Sequence, residues 1–396
     1  MKITTVFFRH NNFSVKNIEK YFGNIVSIGV KSIYCVIVLG ILIFIACSIK
    51  ISPKILYFAT NFRQAEKINI KLVDCVKLYG LYNKSNYIIS KTENENIQEN
   101  EKNVDKKDIE FMSEIQIIDS VADENNNVDV FSNSNIDVNV TSENNTLQRI
   151  DVGAIKVLNY SDIRDINFKE MFNGNITLTK ISDKILLYNT HTSESYANSE
   201  NYKFDYTGTR RTTDSNYNML AIASAFCDNL NSKGFKCIHD TTPHDYGTYT
   251  SSYSRSRVTV KNALEKMEGA SICIDVHRDA IENLDYRPSA NIKGIQVAQL
   301  MFVMGVGSDT TKNPYYFDNL KLAIRLQMLA DKVYPGLFKP MIIRNSVYNQ
   351  DLNKYSLLVE VGATGNTIEE AKLATRCLTN LLNIMYKDWY KLLIVI

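Results

Sequence analysis

From Ser32 to Ile49 the chain reads SIYCVIVLGILIFIACSI, a run of 18 residues without a charge, bracketed by Lys31 and Lys50. At ~1.5 Å per residue such a helix is about 27 Å long, close to the ~30 Å hydrocarbon thickness of a bilayer. No polar stripe interrupts the run, which argues against a core helix with one wet face. A transmembrane anchor is therefore expected. Lys2, Arg9, Lys16, Lys20 and Lys31 precede it against a lone Glu19, so the positive-inside rule keeps residues 1–31 in the cytoplasm and puts the rest outside. No small-x-small cleavage site follows the run, and Phe44 fits a lipoprotein signal at Ile45-Ala46-Cys47 poorly. An uncleaved single-pass anchor is the better reading.

Beyond the anchor the composition shifts twice. Residues 50–90 are mixed and carry no motif. From Lys91 to Gln148 there are 14 acidic residues, four basic ones and 12 asparagines. A stretch so polar buries too little apolar surface to offset its ordering entropy. Residues 91–150 thus read as an acidic, flexible linker with a reach of about 40 Å. Across the whole chain 45 Lys+Arg oppose 43 Asp+Glu, a balance that excludes a basic nucleic-acid binder. The seven cysteines show no CxxC pair and no zinc-finger spacing, so a disulfide scaffold is not expected, with Cys227 to Cys237 as the minor exception.

After residue 150 apolar runs alternate with amphipathic ones. Strands are expected at 184–191, 235–240, 270–277, 294–305, 340–344 and 355–362. Helices are expected at 215–234, capped by Asp214 or Ser215 and stopped by Gly234, at about 257–267, at 317–334, and after Thr367, where Glu370 completes a T-x-x-E capping box. This spacing predicts an α/β domain over 151–396, a mainly parallel sheet with helices on both faces. Ligands of such sheets collect at the carboxyl ends of the strands.

That rule directs attention to the scarce histidines. Four of the five fall between residues 191 and 277, and His191, His239 and His277 each end a predicted strand, as Glu360 nearly ends another. Imidazoles and a carboxylate on one rim are a zinc donor set, and a further carboxylate can serve as general base. His191, Glu194 and His277 are the expected metal ligands and Glu360 the catalytic residue, Glu194 being also a candidate partner for Arg210 or Arg211. Asp275 and His277 share a strand face. Asp275 and Arg278 are candidates to orient a ligand or clamp substrate. His239 and His244 could replace Glu194 but are favoured as substrate or supporting contacts. The glycines of VMGVG (303–307) read as a turn and not a phosphate cradle, and Asn313, Asn345, Tyr348, Asn349, Gln350 and Asp351 are polar loop residues that could donate to a sugar or peptide.

In order along the chain stand LLYNTHTSESY, HDTTPHD, SYSRSR, DVHRDA, VMGVG followed by NP, YPGL, YNQDL and SLLVEVGATGNTIEEA. Together they resemble the stage II sporulation protein P family over about 181–376. The resemblance implies a fold like the type 3 zinc amidases and a membrane-anchored, Zn²⁺-dependent peptidoglycan hydrolase of sporulating cells. It implies N-acetylmuramoyl-L-alanine amidase activity with endopeptidase activity as well, and action in septal wall thinning and engulfment. It also implies stage II sporulation proteins D and M as partners. His191, His277 and Glu360 match the family's two histidine ligands and its catalytic glutamate. Thr192 and Ser193 stand where the wider amidase pattern has two glycines, and no glutamate opens the helix at 215. A non-catalytic wall-binding scaffold is the alternative.

Overall fold

The computed structural model describes residues 106–125, 137–144, 146–171, 183–270 and 272–394. The expected cytoplasmic tail, anchor and juxtamembrane segment lie outside the described residues. Among those described, no helix is long and apolar enough to cross a membrane.

The elements follow in the order α1 (Lys106–Glu124), β1 (Val138–Asn144), β2 (Leu147–Val152), β3 (Ile155–Asn159), β4 (Lys184–Tyr188), α2 (Met219–Ser232), β5 (Lys236–His239) and α3 (Ser252–Lys266). Then come β6 (Ile272–Asp279), β7 (Ser289–Ile292), β8 (Ile295–Ala298), β9 (Leu300–Gly305), α4 (Tyr316–Val333), β10 (Met341–Arg344), β11 (Ser356–Ala363) and α5 (Ile368–Ile394). Nine strands form one sheet in the order β1-β2-β3-β10-β9-β11-β6-β4-β5. β5, β4, β6 and β11 run parallel to one another, so their carboxyl ends share one rim. β9 is antiparallel to β11, and the β1–β3 meander joins through the parallel β3–β10 pair.

Alternation along β4 sorts the two faces. Ile185 and Leu187 join the large core that also holds side chains of α1, α2, α4 and α5. Leu186 and Tyr188 pack instead with Cys273 and with Val260 of α3. Helices therefore cover both faces, as the α/β pattern predicts. The capping box forms, with Thr367 N–H donating to Glu370 Oε2 at 3.1 Å and Glu370 N–H to Thr367 Oγ1 at 3.4 Å. Gly234 has φ 93°, the left-handed conformation in which a helix ends without a Cβ penalty. Cys227, Cys237, Cys273 and Cys377 are buried free thiols.

Several expectations need correction. The stretch 91–150 is not a tether throughout, because it contains α1, β1 and most of β2. Averaging over its many acids and asparagines hides the helical spacing of Phe111, Ile115, Ile118, Val121 and Ala122, all of which pack on the main core. The run 294–305 is two strands, β8 pairing with β7 in a separate ribbon. Helix α2 is capped by Asn218, whose Oδ1 accepts from Leu220 N–H at 3.0 Å, and not by Asp214 or Ser215. Helix α3 begins at Ser252, ahead of the expected Arg257.

Candidate active site at the sheet rim

The rim is organised by the chain leaving β4. Asn189 donates through Nδ2 to Val276 O at 2.7 Å. Thr190 donates its N–H to Asp275 Oδ1 at 2.8 Å and its hydroxyl to Oδ2 at 2.6 Å. Asp275, wholly buried on β6, thus fixes the turn that carries His191. His244 grips the same turn from the other side. Its Nδ1 lies 2.7 Å from Asn189 O and its Nε2 2.9 Å from Thr259 Oγ1, which makes Nδ1 the protonated nitrogen, since a carbonyl can only accept. His239 bridges Ser224 Oγ at 3.0 Å and Asn189 Oδ1 at 2.9 Å, and burial lowers its pKa to about 4. Both nitrogens of both rings are engaged, so these two histidines hold the loop and are not free for ligand duty or substrate.

His191 and His277 differ from them. Their rings meet edge to face with centroids 5.2 Å apart. His191 Nδ1 is buried without a hydrogen-bond partner, and burial, followed by the nearby His277, Arg211 and Arg278, pulls its pKa down to about 2. It is a neutral imidazole. On its own, burial would also lower His277, but Asp275, then Glu360 and Glu194, outweigh it and raise that ring to about 9. His277 Nε2 lies 2.9 Å from Asp275 Oδ1, near enough for charge attraction yet out of line for a hydrogen bond, and it too lacks a hydrogen-bond partner.

Glu194 sits in the turn after His191, its N–H bonded to His191 O at 3.3 Å. Oε2 accepts from Arg278 N–H at 3.2 Å and lies 3.8 Å from His277 Nδ1. Oε1 pairs with Arg211 at 3.2 Å, so the carboxylate both faces His277 and keeps its arginine. Glu360 faces His277 across the β6–β11 ladder as its register partner. Its Oε2 is buried with no partner, and burial, reinforced by Glu194 and Asp279, raises its pKa against the pull of His277 and Arg278.

Arg278 is not a substrate clamp. It is buried, and its guanidinium donates to Thr364 Oγ1 at 3.0 Å and to the carbonyls of Thr209 and Arg210 at 2.9 and 3.1 Å. Three of the polar loop residues are likewise spent inward: Asn313 Nδ2 donates to Gly305 O at 2.6 Å, Gln350 Oε1 accepts from Gly305 N–H at 2.9 Å, and Asp351 pairs with Arg257 at 2.6 Å. Gly305 is needed there, because a Cβ would stand 2.3 Å from Ser346 O. VMGVG is a structural turn.

Three further contacts at the site go beyond the sequence reading, which offered Arg211 only as a partner for Glu194. Ser193 N–H and Oγ donate to Asp245 at 3.0 and 2.6 Å, a grip that holds the loop after His191. Arg211 joins Asp245, at 3.1 Å, to Glu194. Tyr249 lies flat on His191 with centroids 4.2 Å apart. All three contacts arise from long-range packing.

Among the described residues, no three His, Cys, Asp or Glu side chains make a ready metal cluster. The donor chemistry nevertheless fits zinc: a neutral imidazole with an orphaned nitrogen, a carboxylate, and a second imidazole that would give up the proton Asp275 stabilises when the ion binds. The 3.8 Å between Glu194 Oε2 and His277 Nδ1 is a little wider than the roughly 3.4 Å between two ligands at ~2.1 Å from a tetrahedral ion.

Fold and rim together define an α/β protein with a histidine and carboxylate site at the carboxyl ends of parallel strands. The stage II sporulation protein P family model matches residues 75–383, and the chain belongs to that family. It is 32% identical over 215 residues to stage II sporulation protein P of Bacillus subtilis (strain 168), covering 52% of this chain and 51% of the relative. The match thus spans about half the length of that relative. Among solved structures, the N-acetylmuramoyl-L-alanine amidase AmiC2 of Nostoc punctiforme aligns at 12% identity, 53% of this chain and 99% of its own, with a TM-score of 0.32. The CwlD amidase from Clostridioides difficile in complex with the GerS lipoprotein aligns at 16% identity, 52% and 100% coverage and a TM-score of 0.32. At these TM-scores neither likeness bears on how the site works.

Proposed function

We propose that the chain is a membrane-anchored, zinc-dependent peptidoglycan hydrolase of sporulation, an N-acetylmuramoyl-L-alanine amidase acting on the septal wall. The observation that carries this reading is the convergence of His191, Glu194, His277 and Glu360 on one rim, with the buried Nδ1 of His191 and Oε2 of Glu360 left without hydrogen-bond partners. Membership of the family supports it. His191, Glu194 and His277 would hold the ion, which when bound supplies Lewis acidity toward the scissile amide.

The chain's own residues do the rest. Glu360, whose pKa burial raises against the pull of His277, takes a proton at Oε2 from the attacking water and returns it to the leaving amine. Asp275 sets the turn that carries His191 and stands against His277. Arg211 fixes the Glu194 carboxylate through Oε1, leaving Oε2 toward His277. The anchor at 32–49 keeps the domain at the membrane, with the domain outside the cytoplasm, where stage II sporulation proteins D and M are the proposed partners. The test is to incubate the full chain in detergent with purified sacculi, with and without chelator, and to read products by mass spectrometry. Free stem peptides released only without chelator are expected, whereas split crosslinks alone would make the enzyme an endopeptidase. No released product under either condition would leave the wall-binding scaffold in its place.

A further inference from the structure

The large exposed hydrophobic side chains among the described residues are Val140, Tyr206, Ile238, Tyr249, Val258 and Tyr286. Single exposed apolar residues are ordinary, but the three aromatic ones share an address. Each lies on a loop leaving the carboxyl end of a rim strand: Tyr206 after β4, Tyr249 after β5 and Tyr286 after β6. Each also carries a cation on its ring. Arg210 lies 5.5 Å from the Tyr206 centroid, Arg211 4.8 Å from that of Tyr249 and Lys339 5.3 Å from that of Tyr286.

Those cations are already engaged. Arg210 donates to Leu284 O and Thr364 O, both at 2.7 Å. Arg211 pairs with Glu194 and Asp245, and Lys339 with Asp279 at 2.8 Å. All three pin the rings by cation–π attraction, and carboxylates meet the charges of Arg211 and Lys339. The same bonds make the set continuous, since Arg210 ties the Tyr206 loop to the segment that carries Tyr286, and Lys339 ties Tyr286 to Asp279, two residues beyond His277. Tyr249 is stacked on His191 itself and marks the inner end.

We infer that Tyr206 and Tyr286, with Tyr249 at the site, form a binding track for the uncharged pyranose rings of a glycan strand. A tyrosine face is electron-rich and attracts the C–H face of a sugar, and a neutral, pinned ring suits the N-acetylated backbone better than an anionic stem peptide. The identity of the sugar polymer rests on the wall-hydrolase reading above.

The experiment is co-sedimentation of the full chain with insoluble glycan strands freed of all peptide. The parent chain is retained, and the double variant Tyr206→Ala with Tyr286→Ala loses about tenfold in affinity, the scale of two aromatic contacts. Tyr206→Phe with Tyr286→Phe, which keeps both rings, binds like the parent, and an unchanged melting temperature shows that the alanine variant is folded. Retention of the alanine variant equal to the parent's, or no retention of the parent, overturns the track. Should the parent release stem peptides from sacculi but ignore bare glycan, the track fails and the hydrolase stands. Tyrosine-dependent glycan binding without any hydrolysis would leave the track standing and the hydrolase rejected.

Discussion

Two carboxylates, one behind the sheet and one on its rim, show how the same group becomes structure or chemistry. Asp119 of α1 has both oxygens taken. Oδ1 accepts from Arg376 Nε at 2.7 Å and Asn380 Nδ2 at 2.9 Å, and Oδ2 meets a second Arg376 nitrogen and Lys233 at 3.4 Å. Burial alone would raise its pKa, but the bonds from Arg376 and Asn380, helped by the Lys233 charge, bring it below the ordinary value. Glu360 is half-buried with its Oε2 buried and unpartnered, and its pKa goes up. The first carboxylate is held ionised and clasps α1 to α5. The second is kept able to carry a proton, an arrangement that costs stability and fits the role proposed for it at the site.

The sharpest way to break the contrast is to neutralise each group. Glu360→Gln should lower stem-peptide release by at least about 100-fold and leave the melting temperature unchanged or higher, because a buried acid without a partner has been removed. Equal activity would make Glu360 structural. Arg376→Ala should do the opposite, destabilising the domain by about 1.5–3 kcal/mol through the loss of charged hydrogen bonds, with peptide release per folded molecule unchanged. A loss of turnover without a loss of stability would show that the clasp reaches the site.

The smallest effect is acid sensitivity. The folded pKa of Asp119 is depressed, so its contribution is present above the ordinary value of 3.8 and is lost as pH falls through the lowered one. Amide exchange in the α1 segment 110–124 should therefore accelerate below about pH 4 in the parent and be indifferent to that change in Arg376→Ala. Equal acceleration in both would detach the clasp from Asp119.

Much of this contrast is visible in the sequence on one side and hidden on the other. KILLY, ICIDVHRD and SLLVEVGA are apolar runs broken near their ends by a polar residue, so both the parallel strands and the positions of His277 and Glu360 can be read directly. His191 and Glu194 follow from the same rule. Helix α1 could not be read from composition, because its apolar stripe is diluted by Lys, Asp and Glu on the wet face. Only the main core it packs against, and Ile118 O accepting from Tyr334 at 2.8 Å, reveal its place. The Arg211–Glu194 pair was offered by the sequence, but the joining of Asp245 to it and the stacking of Tyr249 on His191 were not, since those roles come from loops brought together over tens of residues. The supporting roles of His239 and His244 were open in the sequence and are decided by which ring nitrogens have partners.

The most direct measurement is the zinc content of purified full-length chain, parent against His191→Ala, His277→Ala and Glu360→Gln, by elemental mass spectrometry. One zinc per chain in the parent and in Glu360→Gln, and its loss from both histidine variants, is the result this account predicts. A parent without zinc, or zinc retained when both histidines are replaced together, would contradict it.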